Sequence, residues 1–134
     1  MARSMNRVSA RPTAHSYIDA AEQQLALARA EKQGQESVVF AYRAALRAAG
    51  ALIEDGMVGR KRRPQGSAWA KLRIVYPELS GWAELFEAHA RLASRAGMGL
   101  EKDISEMEVE RVYRDARALV DAARAQVERL PEVA

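Results

Sequence analysis

The sequence predicts an all-α protein, an antiparallel up-and-down bundle of about five helices, and three observations predict it. Alanine supplies 27 of the 134 residues, and alanine loses no side-chain entropy on coiling. Apolar residues recur three and four positions apart, the period of one helix face. Glycine and proline cut the chain into segments of helix length, and neither strand-type alternation nor an internal repeat intervenes.

Pro12 and Thr13 open the first helix, whose apolar positions Ala14, Ile18, Ala21, Leu25 and Ala28 step by four and three, with Gly34 as its expected stop. The second helix carries Val38, Val39, Tyr42, Ala45, Leu46, Ala49, Leu52 and Ile53 on one stripe, with Arg43, Arg47 and Glu54 opposite. Between Gly56 and Gly66 the run GMVGRKRRPQG breaks the pattern and reads as a loop of roughly ten residues, long for a bundle connection. Ser67 is the expected N-cap of a short third helix with Trp69, Leu72, Val75 and Tyr76, which Pro77 ends. Pro77 also suits the first turn of a fourth helix, where Leu79, Trp82, Phe86, His89, Ala93 and Ala96 share a face and Gly97 and Gly99 close it. Ser105 with Glu108, or Asp103 with Glu106, can cap the last helix. Its stripe is Val109, Val112, Tyr113, Ala116, Leu119, Val120, Ala123, Val127 and Leu130, and Pro131 stops it.

Length and composition bound the rest. A chain 49% apolar and 29% charged is expected to form one helical domain over residues 13–130, behind a basic N-terminal tail at 1–12. The tail is rich in Arg, Ser and Ala and free of acids, as organellar transit peptides are; its shortness favours a frayed tail. Without cysteine there is no disulfide scaffold, thiol nucleophile or Cys-based metal site, and two histidines make an all-imidazole site within one chain a poor expectation. No apolar run reaches the ~18–20 residues of a membrane span, so the expected setting is cytoplasmic, with no membrane partner and no cofactor.

The formal net charge of +3 conceals an uneven distribution. Between Gly56 and Pro77 stand Arg60, Lys61, Arg62, Arg63, Lys71 and Arg73 with no acid, and Arg3, Arg7 and Arg11 lie ahead of the first helix. The remainder of the chain is therefore acidic. Adjacent cations repel and hold a loop open, and arginine forks onto phosphate oxygens with release of condensed counterions. Those six residues are accordingly the candidate nucleic-acid-binding set, the other reading being a solvated loop that keeps a compact protein in solution. Trp69 and Tyr76 lie near enough to stack on bases, but their helical spacing favours core packing, as it does for Tyr42, Tyr113 and Trp82.

Catalytic chemistry is sparse. His89 could serve as a base if Glu84, Glu87 or Asp115 oriented it, yet its place among Trp82, Phe86 and Ala93 reads better as a hydrogen-bonded core or interface histidine. His15 is expected exposed. The pairs Glu54–Asp55 and Glu108–Glu110 read as ordinary helix charges, and no Glu-x-x-His pair of the di-metal bundle type occurs.

Taken in order, AYRAALRAAGALIEDG, GRKRRPQGSAWAKLR, YPELSGWAELFEAHARLASRAG and SEMEVERVYRDARALVDAARA resemble an actinobacterial branch of the HEPN superfamily, over about residues 15–130. The resemblance implies a helical bundle, a tendency to homodimerise, and a superfamily context of RNA cleavage, RNA or nucleotide binding and toxin–antitoxin systems. Active HEPN ribonucleases carry Arg, four to six residues, then His. Here the positions that would hold the arginine are Trp82, Ala83 and Glu84 for His89, and Val8, Ser9 and Ala10 for His15. The motif is absent, so the resemblance carries over the fold and no catalytic residue. The expected function is a non-catalytic HEPN-like domain that binds RNA or another polyanion through the basic loop. The alternatives are a protein-interaction module, such as the neutralising half of a toxin–antitoxin-like pair, and a divergent ribonuclease working through His89.

Overall fold

A computed structural model describes residues 11–129, and among these residues five α-helices and one 3-10 turn account for all regular structure. The helices are α1 (Ala14–Ala30), α2 (Gly34–Gly56), α3 (Ala68–Val75), α4 (Ser80–Gly97) and α5 (Glu106–Val127), with the 3-10 turn at Pro77–Leu79 between α3 and α4. The all-α bundle predicted from periodicity is the observed fold. Arg11 and Pro12 precede α1 as exposed chain without regular structure, whereas Arg3, Arg7, Leu130 and Pro131 lie outside the described residues.

Side-chain oxygens start three of the helices, each occupying an N–H that has no partner within its helix. The Thr13 hydroxyl accepts from Ser16 N–H at 3.0 Å while the Ser16 hydroxyl accepts from Thr13 N–H at 3.0 Å, a reciprocal cap for α1. Ser67 accepts from Ala70 N–H at 3.1 Å, and Ser105 accepts from Glu108 N–H at 3.1 Å. At the other end of α4, Gly99 adopts φ +74°, and Leu100 N–H and Gly99 N–H return to the carbonyls of Arg95 and Ala96 at 2.8 and 3.1 Å. That paired closure requires a left-handed residue, which is why glycine stands there.

Gly34 departs from its expected role. Helix α1 stops at Ala30, the Glu31 carboxylate accepts from the N–H groups of Lys32 and Gln33, and Gly34 is the first residue of α2. A Cβ on Gly34 would stand 3.1 Å from Val109 Cγ2, so its smallness serves the close approach of α5 and not a helix stop.

Helix α2 is the axis of the bundle. It packs against α1, α3, α4 and α5, and burial spreads well beyond the predicted stripe to Ala41, Ala44, Ala48 and Ala51. Alanine on several sides lets neighbouring axes approach towards the short end of the ~8–10 Å range. The larger side chains then collect at one seam, where Phe86 stacks on Trp69 (5.3 Å between ring centres, 15°) and Tyr42 meets both rings. The Trp69 indole N–H donates to the Tyr42 hydroxyl at 2.9 Å. Trp69 is buried as expected, but Trp82, Tyr42 and Tyr113 are only half-buried, each packed at the edge of the core.

Ion pairs bind α1 to α5. Glu22 receives a bidentate Arg117 at 3.0 and 2.7 Å and Arg124 at 2.6 Å, while Arg29 forks onto Glu110 and lies 3.7 Å above the Tyr113 ring. Arg117 above all, with Arg124, holds the Glu22 carboxyl below its usual value near 4.5, and Arg29 does the same for Glu110. On the alkaline side, burial and then the Asp55 carboxylate push the Tyr76 hydroxyl up to about 12. A lowered carboxyl binds fewer protons folded than unfolded, so its contribution is complete above the ordinary carboxylate range and lost as pH falls through the lowered value. A raised tyrosine stabilises below its ordinary value of 10.0 and loses that contribution between there and about 12. Thermal melts across pH are expected to show a plateau that falls on both flanks, with Glu22→Gln flattening the acid flank and Tyr76→Phe the alkaline one.

Candidate nucleic-acid interface

The basic loop, residues 57–67, leaves the C-terminal end of α2 and enters α3. Gly59 (φ +84°) and Gly66 (φ +109°) take left-handed conformations at its two bends, so the four cations are displayed between two backbone positions that strongly favour glycine. All four of Arg60, Lys61, Arg62 and Arg63 are exposed.

Their engagements differ. Arg60 donates to the Ile74 carbonyl at 3.1 Å, which pins the loop to the end of α3 without neutralising the guanidinium. Arg63 is ion-paired to Glu54, a carboxylate on the last turn of α2. Arg73 forks onto Glu87 of α4 at 2.6 and 2.7 Å. Lys61, Arg62 and Lys71 have no ion-pair partner among the described residues. Two of the six candidate cations are thus compensated by the protein itself, and four have no carboxylate partner among the described residues.

The fold also recruits two arginines that the sequence pattern assigned elsewhere. Arg11, from the segment before α1, and Arg47, from α2, line a cleft of about 290 Å³ together with Arg63, Lys71, Glu54 and Tyr17. Tyr17 lies across Gly50, where a Cβ would stand only 2.7 Å from the ring. Glycine at that position lets the aromatic ring form the cleft floor. Arg47 was readable only as a solvent-facing charge, because its neighbours here are distant in sequence.

Trp69 and Tyr76, the aromatics nearest the loop in sequence, do not join this surface. Trp69 is in the core, and the half-buried Tyr76 donates its hydroxyl to Asp55. Glu54 and Asp55, ordinary helix charges by sequence, each hold a partner.

His89 sits on the other side of the aromatic seam, its ring edge-on to Phe86 (5.5 Å, 62°) and its Nε2 2.8 Å from Asp115 Oδ2. Of the three carboxylates within sequence reach, Asp115 is the one that meets it. The pair ties α4 to α5, and His15 is exposed. Among the described residues no cluster of three or more histidine and carboxylate groups could hold a metal ion, and no helix is long and apolar enough to cross a membrane.

An all-α helical bundle is the fold that the HEPN resemblance implied, and it is the fold observed. The chain belongs to the SAV_6107-like HEPN family, whose model matches residues 28–124, from the end of α1 through most of α5. No curated protein and no solved structure matches it.

Proposed function

We propose that this HEPN domain, acting as one unit over residues 13–130, binds single-stranded RNA without cleaving it. The interface is the surface formed by Arg60, Lys61, Arg62, Arg63, Lys71 and Arg73. One observation carries the reading: four of these cations stand on one exposed loop and its following helix with no carboxylate of the described chain set against them. Guanidinium and ammonium groups so displayed gain free energy when a polyanion releases its condensed counterions to reach them. The missing Arg-x4-6-His motif supports binding over cleavage.

The test is a gel shift with labelled single-stranded and duplex RNA over a salt series. Four uncompensated cations predict a log–log salt slope of about −3 for a single strand, at roughly 0.7 per phosphate. Salt-independent binding, or none at low salt, overturns the reading. Degradation of the RNA, abolished by His89→Ala, favours the divergent ribonuclease instead, with Asp115 orienting the imidazole.

A protein-docking role is favoured by a separate observation. Met98, Leu100 and Met107 are large exposed apolar side chains gathered at the α4–α5 connection, and the groove between α2 and α4 is lined by Val39, Tyr42, Leu46, Ala90 and Ala93. A second copy of the chain is the occupant we assign to that groove, consistent with HEPN dimerisation, and light scattering on the gel-shift sample reads the mass directly.

A further inference from the structure

We infer that the cleft between α2 and α3 seats one phosphate-bearing nucleotide unit of the bound strand, and that Glu54 is a resident counter-anion which this phosphate displaces from Arg63. The inference rests on the RNA reading and adds to it a defined seat and a competitor built into the protein.

Four different parts of the fold each send one cation to this cleft: Arg11 from the leading segment, Arg47 from α2, Arg63 from the loop and Lys71 from α3. Among the described residues the only carboxylate in the lining is Glu54. A larger cleft of about 500 Å³ between α1, α2 and α5 has the opposite balance, with Glu31, Glu106 and Glu110 against Arg29 and Lys32. A concave surface with one sign of charge and low-dielectric walls focuses its field outward and draws in counter-ions. At about 290 Å³ the cleft has room for a phosphate with its sugar.

Glu54 and Arg63 are unequally placed. The Glu54 side chain is 15% exposed and the Arg63 side chain 38%, so the carboxylate lies inside and the guanidinium covers it from the solvent side. An arriving strand phosphate meets Arg63 first, and its oxygens accept from the guanidinium as the carboxylate does, with Arg47 and Lys71 in the same lining to share its charge. Arg47 and Lys71, which have no carboxylate partner among the described residues, hold the phosphate once it has arrived. Glu54 then tunes affinity downwards: it keeps Arg63 ordered in the empty protein and is repelled by the ligand that replaces it.

The experiment uses the full chain, a short single-stranded RNA and inorganic phosphate as separate probes, and NMR of the arginine side-chain Nε–H groups. Glu54→Gln is expected to tighten RNA binding about threefold or more, because a repulsive charge and a competing ion pair both disappear. Glu106→Gln, in the acidic cleft, changes the net charge equally and is expected to leave affinity unchanged. Arg47→Ala, an exposed position whose loss does not threaten folding, is expected to weaken binding about fivefold at 0.1 M salt, the value of one phosphate contact. Both probes are expected to shift the Arg47 and Arg63 signals. If RNA binds but Glu54→Gln and Arg47→Ala leave affinity and signals unchanged, the cleft is not the seat and the RNA reading stands. If RNA does not bind while phosphate moves both signals, and does so at lower concentration in Glu54→Gln, the seat stands and the RNA reading falls. Silence with both probes overturns both.

Discussion

Phe86→Ala is expected to destabilise the bundle by about 3–5 kcal/mol, the usual cost of emptying a fully buried aromatic site. Phe86 is 0% exposed, stacks on Trp69 of α3, touches Tyr42 of α2, and supports the His89 ring that reaches Asp115 on α5. Its removal loosens four helices at one point. The surrounding alanines cannot fill the gap, because a methyl group has no longer rotamer with which to reach in. Against the ~5–15 kcal/mol stability typical of a domain, the loss is a large fraction of the whole. Urea unfolding followed by tryptophan fluorescence measures it, with Trp82→Ala as the comparison. Trp82 is larger but only half-buried, so its truncation is expected to cost less. Equal costs for the two would mean that the aromatic seam is not the mechanical centre of the fold.

Alanine at Arg60, Lys61, Arg62 and Arg63 together is expected to weaken single-stranded RNA binding by about two to three orders of magnitude at 0.1 M salt, at roughly fivefold per phosphate. The salt slope should fall by about 2 to 3 in step, since slope and affinity count the same contacts. The fold should survive, because all four side chains are exposed and, among the described residues, the only ion pair broken is that of Arg63 with Glu54. Exposed ion pairs contribute at most about 1 kcal/mol. Arg73→Ala makes a useful contrast: its guanidinium is already forked onto Glu87, so its loss should change RNA affinity less than the loss of Lys61 or Arg62. Unchanged affinity in the quadruple variant would remove the loop from the interface.

The fold was legible in the sequence where local chemistry decides. Thr13, Ser67 and Ser105 start helices because a short side-chain oxygen reaches an N–H three residues on, and Gly99 ends one because its φ is positive. Gly34 shows the limit: a stop glycine and a close-packing glycine look alike until Val109 is in place 75 residues later in the chain. Alanine is equally ambiguous. Ala41, Ala44, Ala48 and Ala51 suit solvent as readily as a helix interface, so the central position of α2 could not be read from them.

Charge divides in the same way. The order of residues alone determined that a cationic stretch would lie between two helices, that it would be a loop, and that no acid within it could neutralise it. Which of those cations remain uncompensated was decided only by tertiary structure, which set Glu54 against Arg63 and Glu87 against Arg73 and turned Arg11 and Arg47 to face Lys71 across a cleft. The physical reason is range: capping and helix period act over three or four residues, whereas an ion pair acts through space and connects whatever side chains the packing of helices brings within a few ångströms.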